Sequence, residues 1–395
     1  MNELPANHPA LLPAGLRDTL PPEAEIEAKS VETIMDCFAA HGYARVKTPL
    51  LEFEDSLFAG SGAATAEQTF RLMDPQSQRM MGLRADTTPQ IGRVAATRLG
   101  SAPRPLRLAY AGQCLRVRGS HLQPERQIAQ AGIELIGVDS AEADAEIILT
   151  AAEALAAVGL HHISFDLTIP HLVLQLLDAD VDPALTRALD RKDSAAVAQL
   201  GGTHTVLLLQ LLEASGTAAR AIPALLAIDL PPAAPRAIPA LLAIDLPPAA
   251  HAHAERMAQT VAAVAAHKPD LALTIDPVEF RGYRYHTGIC FTVFASGEQA
   301  ELGRGGRYMC GDTEPATGIT LYPDTIVQVA PAPRLRPRIY LPFGTSPTVA
   351  ATFRAQNFAT IPGLAAVDSA TDEAARLGCR YVFYNGDIHA VSGTK

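Results

Sequence analysis

Four polar clusters hold the residue types that could bind or transform a small molecule. They are LRADTTPQ (Leu83–Gln90), CLRVRGSHLQPERQIAQAGIELIG (Cys114–Gly137), EFRGYRYHTG (Glu279–Gly288) and GRGGRY (Gly303–Tyr308). In the second cluster, strand alternation puts Gln130, Gly132 and Glu134 on one face and Ala131, Ile133 and Leu135 on the other. Arg116 lies on the neighbouring expected strand. A carboxylate, an amide and a guanidinium gathered in one place suit a ligand bearing both an ammonium and a carboxylate, that is, an amino acid. Carboxylates would hold the ammonium, and arginine would grip the carboxylate as a bidentate pair. The same residues could equally be solvated charges at a strand edge, and spacing alone does not choose between the two.

Weaker clusters are expected to be structural. HAHAE at 251–255 and the His161–His162 pair could begin a metal site, but no cysteine or further histidine completes either. No metal is therefore expected. GRGGRY could cradle phosphate through backbone amides, yet no Walker Lys-Ser/Thr follows, and a tight glycine turn between strands is expected instead. The five cysteines, Cys37, Cys114, Cys290, Cys310 and Cys379, are scattered without a CxxC pair. They read as reduced thiols of a cytoplasmic protein, with Cys290 and Cys310 in the core, and no cofactor is expected.

The elements that must position these clusters can be read from periodicity. Pro21 and Pro22 open a helix running to about Ala40 and stopped by Gly42. ARVKTPLLEF is a strand interrupted by Pro49, and FRLMDPQSQRMMGLR is a hairpin turning at DPQSQ. Thr87, Thr88 and Pro89 start a helix with a hydroxyl cap. RPLRLAYAGQCLRV and AQAGIELIGV form two strands joined by the polar loop Gly119–Glu125. An amphipathic helix over SAEADAEIILTAAEALAAVGL ends at Gly159, and HHISFDLTI follows as a strand. Strand signals return at LALTIDPVEF and ICFTVFAS, and then at GRGGRYM.

The chain of 395 residues is too long for one ordinary domain. Hydrophobic residues at 48% and charged residues at 19% allow a large core and rule out wholesale disorder. The formal charge of −10 disfavours broad nucleic-acid binding, so no tRNA partner is expected. The longest apolar run, Val206–Leu212, is broken by Gln210 and is far short of a membrane span, and the first twenty residues lack a secretion signal. Residues 1–335 read as one core holding an Ala/Leu-rich helical insert at about 180–265. APAPRLRP (residues 330–337) is a linker, and 337–395 alternates strand, helix and strand as a small α/β unit. Within the insert RAIPALLAIDLPPAA occurs twice, at 220–234 and 236–250. Two copies are too few for a solenoid, and a tandem duplication in a tolerant loop is expected.

The ordered set GLRD, TPLLE, LRADTT, CLRVR with RQIAQAGIELIG, EFRGYRYHTG and GRGGRY resembles the catalytic core of histidyl-tRNA synthetase. It is most similar to the non-synthetase branch of that family, the regulatory subunits of ATP phosphoribosyltransferase. The likeness covers about 8–180 and 270–330. It implies an α+β, class II aminoacyl-tRNA synthetase-like fold, an antiparallel sheet flanked by helices, dimerising around Pro49. It also implies that Asp86 and Thr88 match the residues holding the histidine amino group. Arg116 matches the arginine opening the second class motif, and Gln130 and Glu134 match residues that contact histidine. Arg281 matches the arginine of the histidine-specific RGLDYY-like motif, His286 a ring-contacting tyrosine, and Tyr308 the tyrosine of GGRY.

The ATP half departs from the synthetase pattern. Arg118 replaces the acidic residue that seats adenine, and Thr325, after Asp324, replaces the triphosphate-binding arginine of the third motif. Arg284 stands where RGLDYY has Asp. The resemblance thus implies a non-catalytic regulatory subunit. Its partner would be a short-form ATP phosphoribosyltransferase catalytic chain in the first step of histidine biosynthesis, with feedback inhibition by histidine. An active histidyl-tRNA synthetase or related amino-acid ligase is the alternative.

Overall fold

The computed structural model describes residues 11–119, 124–170, 182–213, 248–279, 285–295, 301–311, 313–332 and 334–391. Backbone contacts divide the chain into two compact units, residues 1–331 and 332–395. The first unit is built on an eight-stranded sheet. Its strands, in chain order, are β1 (Ala44–Arg45), β5 (Leu106–Leu115), β6 (Gln127–Ile136), β7 (Ile163–Thr168), β8 (Ala272–Asp276), β9 (His286–Ala295), β10 (Glu301–Cys310) and β11 (Glu314–Leu321). A separate three-stranded sheet holds β2 (Leu51–Phe53), β3 (Arg71–Met73) and β4 (Met80–Leu83). The large sheet runs β1-β5-β6-β11-β10-β9-β7-β8, antiparallel except at its two ends, where β1 joins β5 and β7 joins β8 in parallel. This is the α+β arrangement expected of a class II synthetase-like core.

The strands fall where apolar alternation predicts them. Ala131, Ile133 and Leu135 of β6 enter the main core with Phe165, Leu167, Phe291 and Ile319. Against that side pack α1 (Glu23–Ala40), through Ile34, Met35 and Phe38, and α4 (Ala141–Ala157), through Ile147, Ile148 and Leu155. Ser140 caps α4 by accepting from the Ala143 N–H at 3.2 Å. The DPQSQ turn joins β3 to β4 as a hairpin, with the Asp74 carboxylate accepting from the backbone of Gln76 and Ser77. Pro49 separates β1 from β2, which lie in different sheets, and its carbonyl accepts from Gln90 Nε2 at 2.8 Å.

Two local expectations are corrected. GRGGRY is not a turn between strands but lies inside β10, paired on both sides. The glycines there answer to crowding: a Cβ on Gly305 would stand 2.2 Å from the Gly318 carbonyl of β11. The hydroxyl cap on α3 (Thr88–Thr97) does not form, because Thr87 is itself helical at φ −87°, ψ −31°. Asp86 accepts from the Thr88 N–H at 3.2 Å instead. The Thr87 and Thr88 hydroxyls are thereby turned away to other partners.

The second unit is a four-stranded sheet, β13-β12-β14-β15, of β12 (Arg338–Leu341), β13 (Ala359–Pro362), β14 (Tyr381–Tyr384) and β15 (Asp387–Ala390). Helices Pro347–Ala355 and Ala370–Arg376 alternate with the first three strands. Ser346 and Ser369 cap these helices through their hydroxyls. The tandem duplication lies outside the described residues apart from its last three. Deleting residues 236–250 is expected to lower the melting temperature by less than about 5 °C, read by circular dichroism, since a loop insertion costs little.

Candidate functional site

Four parts of the fold bring the predicted polar residues together. The start of α3 and the residues just before it supply Thr88 and Asp86, β6 supplies Gln130 and Glu134, and the paired strands β10 and β9 supply Tyr308 and His286. At the centre is Glu134, 1% exposed. Its Oε1 accepts from the Thr88 hydroxyl at 3.0 Å and from Tyr110 at 3.4 Å, and its Oε2 accepts from Tyr308 at 2.9 Å. These partners are all neutral. Burial therefore dominates and pushes the Glu134 carboxyl up to about 8, although the hydroxyl donors from Tyr308 and Thr88 pull the other way. Burial also holds the Tyr110 and Tyr308 hydroxyls well above the usual range, so both stay protonated.

Towards the opening, Gln130 Nε2 donates to Asp86 Oδ1 at 3.2 Å, and Gln130 Oε1 accepts from the Thr87 N–H at 3.0 Å and the Cys114 thiol at 3.0 Å. The amide is thus oriented by its partners. Tyr285 stacks on His286, with centroids 4.3 Å apart, and meets Tyr308 edge-on at 5.8 Å. A cleft of about 900 Å³ opens beside this cluster, lined by Asp86, Gln130, Arg116, His286, Arg304 and Asp324 among others. The Glu134 end is narrow, with about 20 Å³ of free space between Thr88, Glu134, Tyr285, His286 and Tyr308. That is roughly the room for one water.

Arg116 belongs to the open end. Along β5 it lies four residues beyond Gly112, the ladder partner of Gln130, and eight beyond Leu108, the partner of Glu134. At about 3.3 Å per residue, that is some 26 Å from the level of Glu134. The two carboxylates and the arginine therefore do not collapse into one salt-bridge cluster. Arg281 lies outside the described residues. Arg118 is exposed, and Thr325 lines the cleft beside Asp324, which accepts from the Ala129 N–H at 2.7 Å.

Several participants escaped the sequence reading. Tyr110 sits in an apolar-looking strand, yet its hydroxyl bridges Thr88, Thr320 and Glu134. Arg84 is 6% exposed and pins the Asp86–Thr88 segment. Its Nε donates to the Gln113 carbonyl at 2.8 Å, and its Nη1 donates to the Thr48 hydroxyl at 3.0 Å. A lone arginine inside LRADTT could have hinted at this. Gly132 and Gly318 leave the room the site needs: a Cβ on Gly132 would stand 2.5 Å from the Tyr110 hydroxyl, and one on Gly318 would stand 1.8 Å from Glu134 Oε2.

Residues 15–326 match the family model described as histidyl-tRNA synthetase. The chain is 52% identical over 377 residues to a protein of Paramagnetospirillum magneticum named ATP phosphoribosyltransferase regulatory subunit, covering 94% of this chain and 95% of that one. A Gluconobacter oxydans protein of the same name is 48% identical over 382 residues, covering 95% and 96%. The chain belongs to the ATP phosphoribosyltransferase regulatory subunit family. A Bacillus halodurans structure titled as an ATP phosphoribosyltransferase regulatory subunit/histidyl-tRNA synthetase superposes with a TM-score of 0.76 at 22% identity, over 94% of this chain and 97% of that one. The likeness extends the shared fold over both units.

Proposed function

We propose that this chain is a non-catalytic regulatory subunit that pairs with a short-form ATP phosphoribosyltransferase catalytic chain in the cytoplasm, activates it, and carries its feedback inhibition by histidine. One observation carries the reading. A hydrogen-bonded polar pocket around Glu134, Gln130 and Asp86 adjoins a cleft lined by Thr325, and the chain carries Thr325 and Arg118 where a synthetase needs an arginine and an acid. Among the described residues no helix is long and apolar enough to cross a membrane. A homodimer through the region around Pro49 is part of the same reading.

In this reading the residues divide the ligand between them. Asp86, Thr88 and Gln130 take the ammonium, while Arg116, roughly 26 Å along the strand from the level of Glu134, lies beyond the span of one histidine and stays at the mouth of the cleft. Glu134 faces the imidazole among Tyr285, His286 and Tyr308. Arg281 completes the set by its place in the motif. A ring can reach Glu134 only when the Tyr285–His286 pair swings out, since the closed end holds about one water.

Loss of the phosphate-clamping arginine costs on the order of 3 kcal/mol, or roughly 100-fold, in stabilising charge on a transferring phosphoryl group. Purified protein is therefore expected to show no histidine-dependent pyrophosphate exchange above background. Exchange at synthetase-like rates would establish an active histidyl-tRNA synthetase or related ligase instead.

A further inference from the structure

We propose that Cys37, His41 and Glu153 form a binding site for a divalent first-row transition metal, with zinc favoured by the ligand set. The site stands apart from the cleft, at the end of α1 where it crosses α4. Cys37 and His41 are four residues apart, so their side chains leave the same face of the last turn. The His41 backbone N–H donates to the Cys37 carbonyl at 3.2 Å, which holds that spacing. Glu153 comes from the penultimate turn of α4, and its Oε2 lies 3.0 Å from His41 Nε2. Thiol, imidazole and carboxylate donor atoms all lie within 4.8 Å of one another.

Those separations are close to what a metal needs. Tetrahedral zinc with bonds of about 2.0–2.3 Å sets its ligands roughly 3.3–3.7 Å apart. The His41–Glu153 pair is already within that reach, and the thiol must close by no more than about 1.5 Å. The movement is available, because the His41 and Glu153 side chains are 33% and 66% exposed. Three protein ligands leave a fourth position open to water, as in open zinc sites. One sulfur, one nitrogen and one oxygen donor select zinc over magnesium or calcium, which want oxygen alone.

Without a cation, burial and then the Glu153 charge push the Cys37 thiol up to about 11, so it is no reactive thiolate by itself. The metal's own charge reverses that balance. Cys37 binds as the thiolate, its proton leaving to solvent, while His41 stays neutral and Glu153 ionised. A metal here ties α1 to α4 and stabilises the folded chain by mass action.

The test is a cobalt(II) titration of the full-length, chelator-treated protein. A thiolate-to-cobalt charge-transfer band saturating at one metal per chain, and lost when zinc is added, is expected. Cys37→Ser should abolish the band with an unchanged far-ultraviolet circular dichroism spectrum. The other four cysteines are buried and should add nothing. Glu153→Gln, on a half-exposed helix face, should keep the fold and weaken binding by at least about 10-fold, since even the outer partners of metal ligands cost that much. No charge-transfer band at saturating cobalt, or a band undiminished in Cys37→Ser, would overturn the site and leave His41–Glu153 as a simple surface pair.

Discussion

Replacing Glu134 with alanine is expected to weaken histidine binding by about 1.5–3 kcal/mol, or roughly 10- to 150-fold, the worth of a charged hydrogen bond. The pH dependence gives this effect a signature. Between about pH 6.5 and 8 free imidazole is neutral, while the Glu134 carboxyl, raised to about 8 by burial, is protonated. On binding, that one proton can be shared between ring and carboxylate, so affinity stays level across the window. Below about 6.5 the ligand brings a second proton that must leave, and above about 8 the pair must take one up, so affinity falls on both sides. Glu134→Gln should remove the alkaline limb. Isothermal titration calorimetry of wild type and both variants, in buffers of differing ionisation enthalpy, reads affinity and proton count together. Unchanged affinity in Glu134→Ala would move the effector site to the contact with the catalytic chain.

The same burial has a consequence for stability. The unfolded carboxyl titrates near 4.5 and the folded one near 8. The Glu134 contribution is therefore fully present below about pH 4.5 and is lost as pH rises towards 8, at up to about 1.4 kcal/mol per pH unit. Denaturant midpoints of Glu134→Gln should fall less across that range than those of wild type.

Gly318→Ala is expected to be the most damaging single-atom change in the site. Its Cβ would fall 1.8 Å from Glu134 Oε2, and that carboxyl cannot retreat because Tyr308, Thr88 and Tyr110 hold it in a 1% exposed position. Either the β6–β11 pairing must open or Glu134 must abandon its donors. A loss of about 2–3 kcal/mol follows from such overpacking, or roughly 3–4 °C in the melting temperature of a unit this size. Histidine binding should vanish with it. The double variant Gly318→Ala, Glu134→Ala removes the carboxyl but leaves the Ile133 carbonyl 2.8 Å from the added Cβ, and should recover part of the stability without the binding. Failure to recover would mean that the methyl group strains the strands themselves, not the carboxyl.

Much of this arrangement was readable from residue order, and the unread parts share a physical reason. Alternation along 130–135 gave both faces of β6 correctly, because one face packs into an apolar core and the other does not. The hairpin at Asp74 is a local event that neighbouring residues settle. GRGGRY was misread because glycine clusters usually mark turns, whereas here they answer to backbone approaching from β11, which no local pattern reveals. The Thr87 hydroxyl was assigned to a cap and in fact meets the Cys114 thiol at 3.3 Å, from a strand 27 residues away. Tyr110 and Arg84 were overlooked for the same reason: their roles lie in long-range partners. So too with Cys37, His41 and Glu153, whose donors meet across 112 residues of sequence.

If this chain regulates a phosphoribosyltransferase and does not activate histidine itself, the catalytic chain's turnover must depend on it. The measurement that tests this most directly is the turnover of a purified short-form ATP phosphoribosyltransferase with and without this chain, with and without histidine. The account predicts that the two proteins co-elute as a complex, that turnover rises when the chain is added, and that histidine lowers it in the complex. Unchanged turnover and separate elution, with histidyl-adenylate formed by this chain alone, would contradict it.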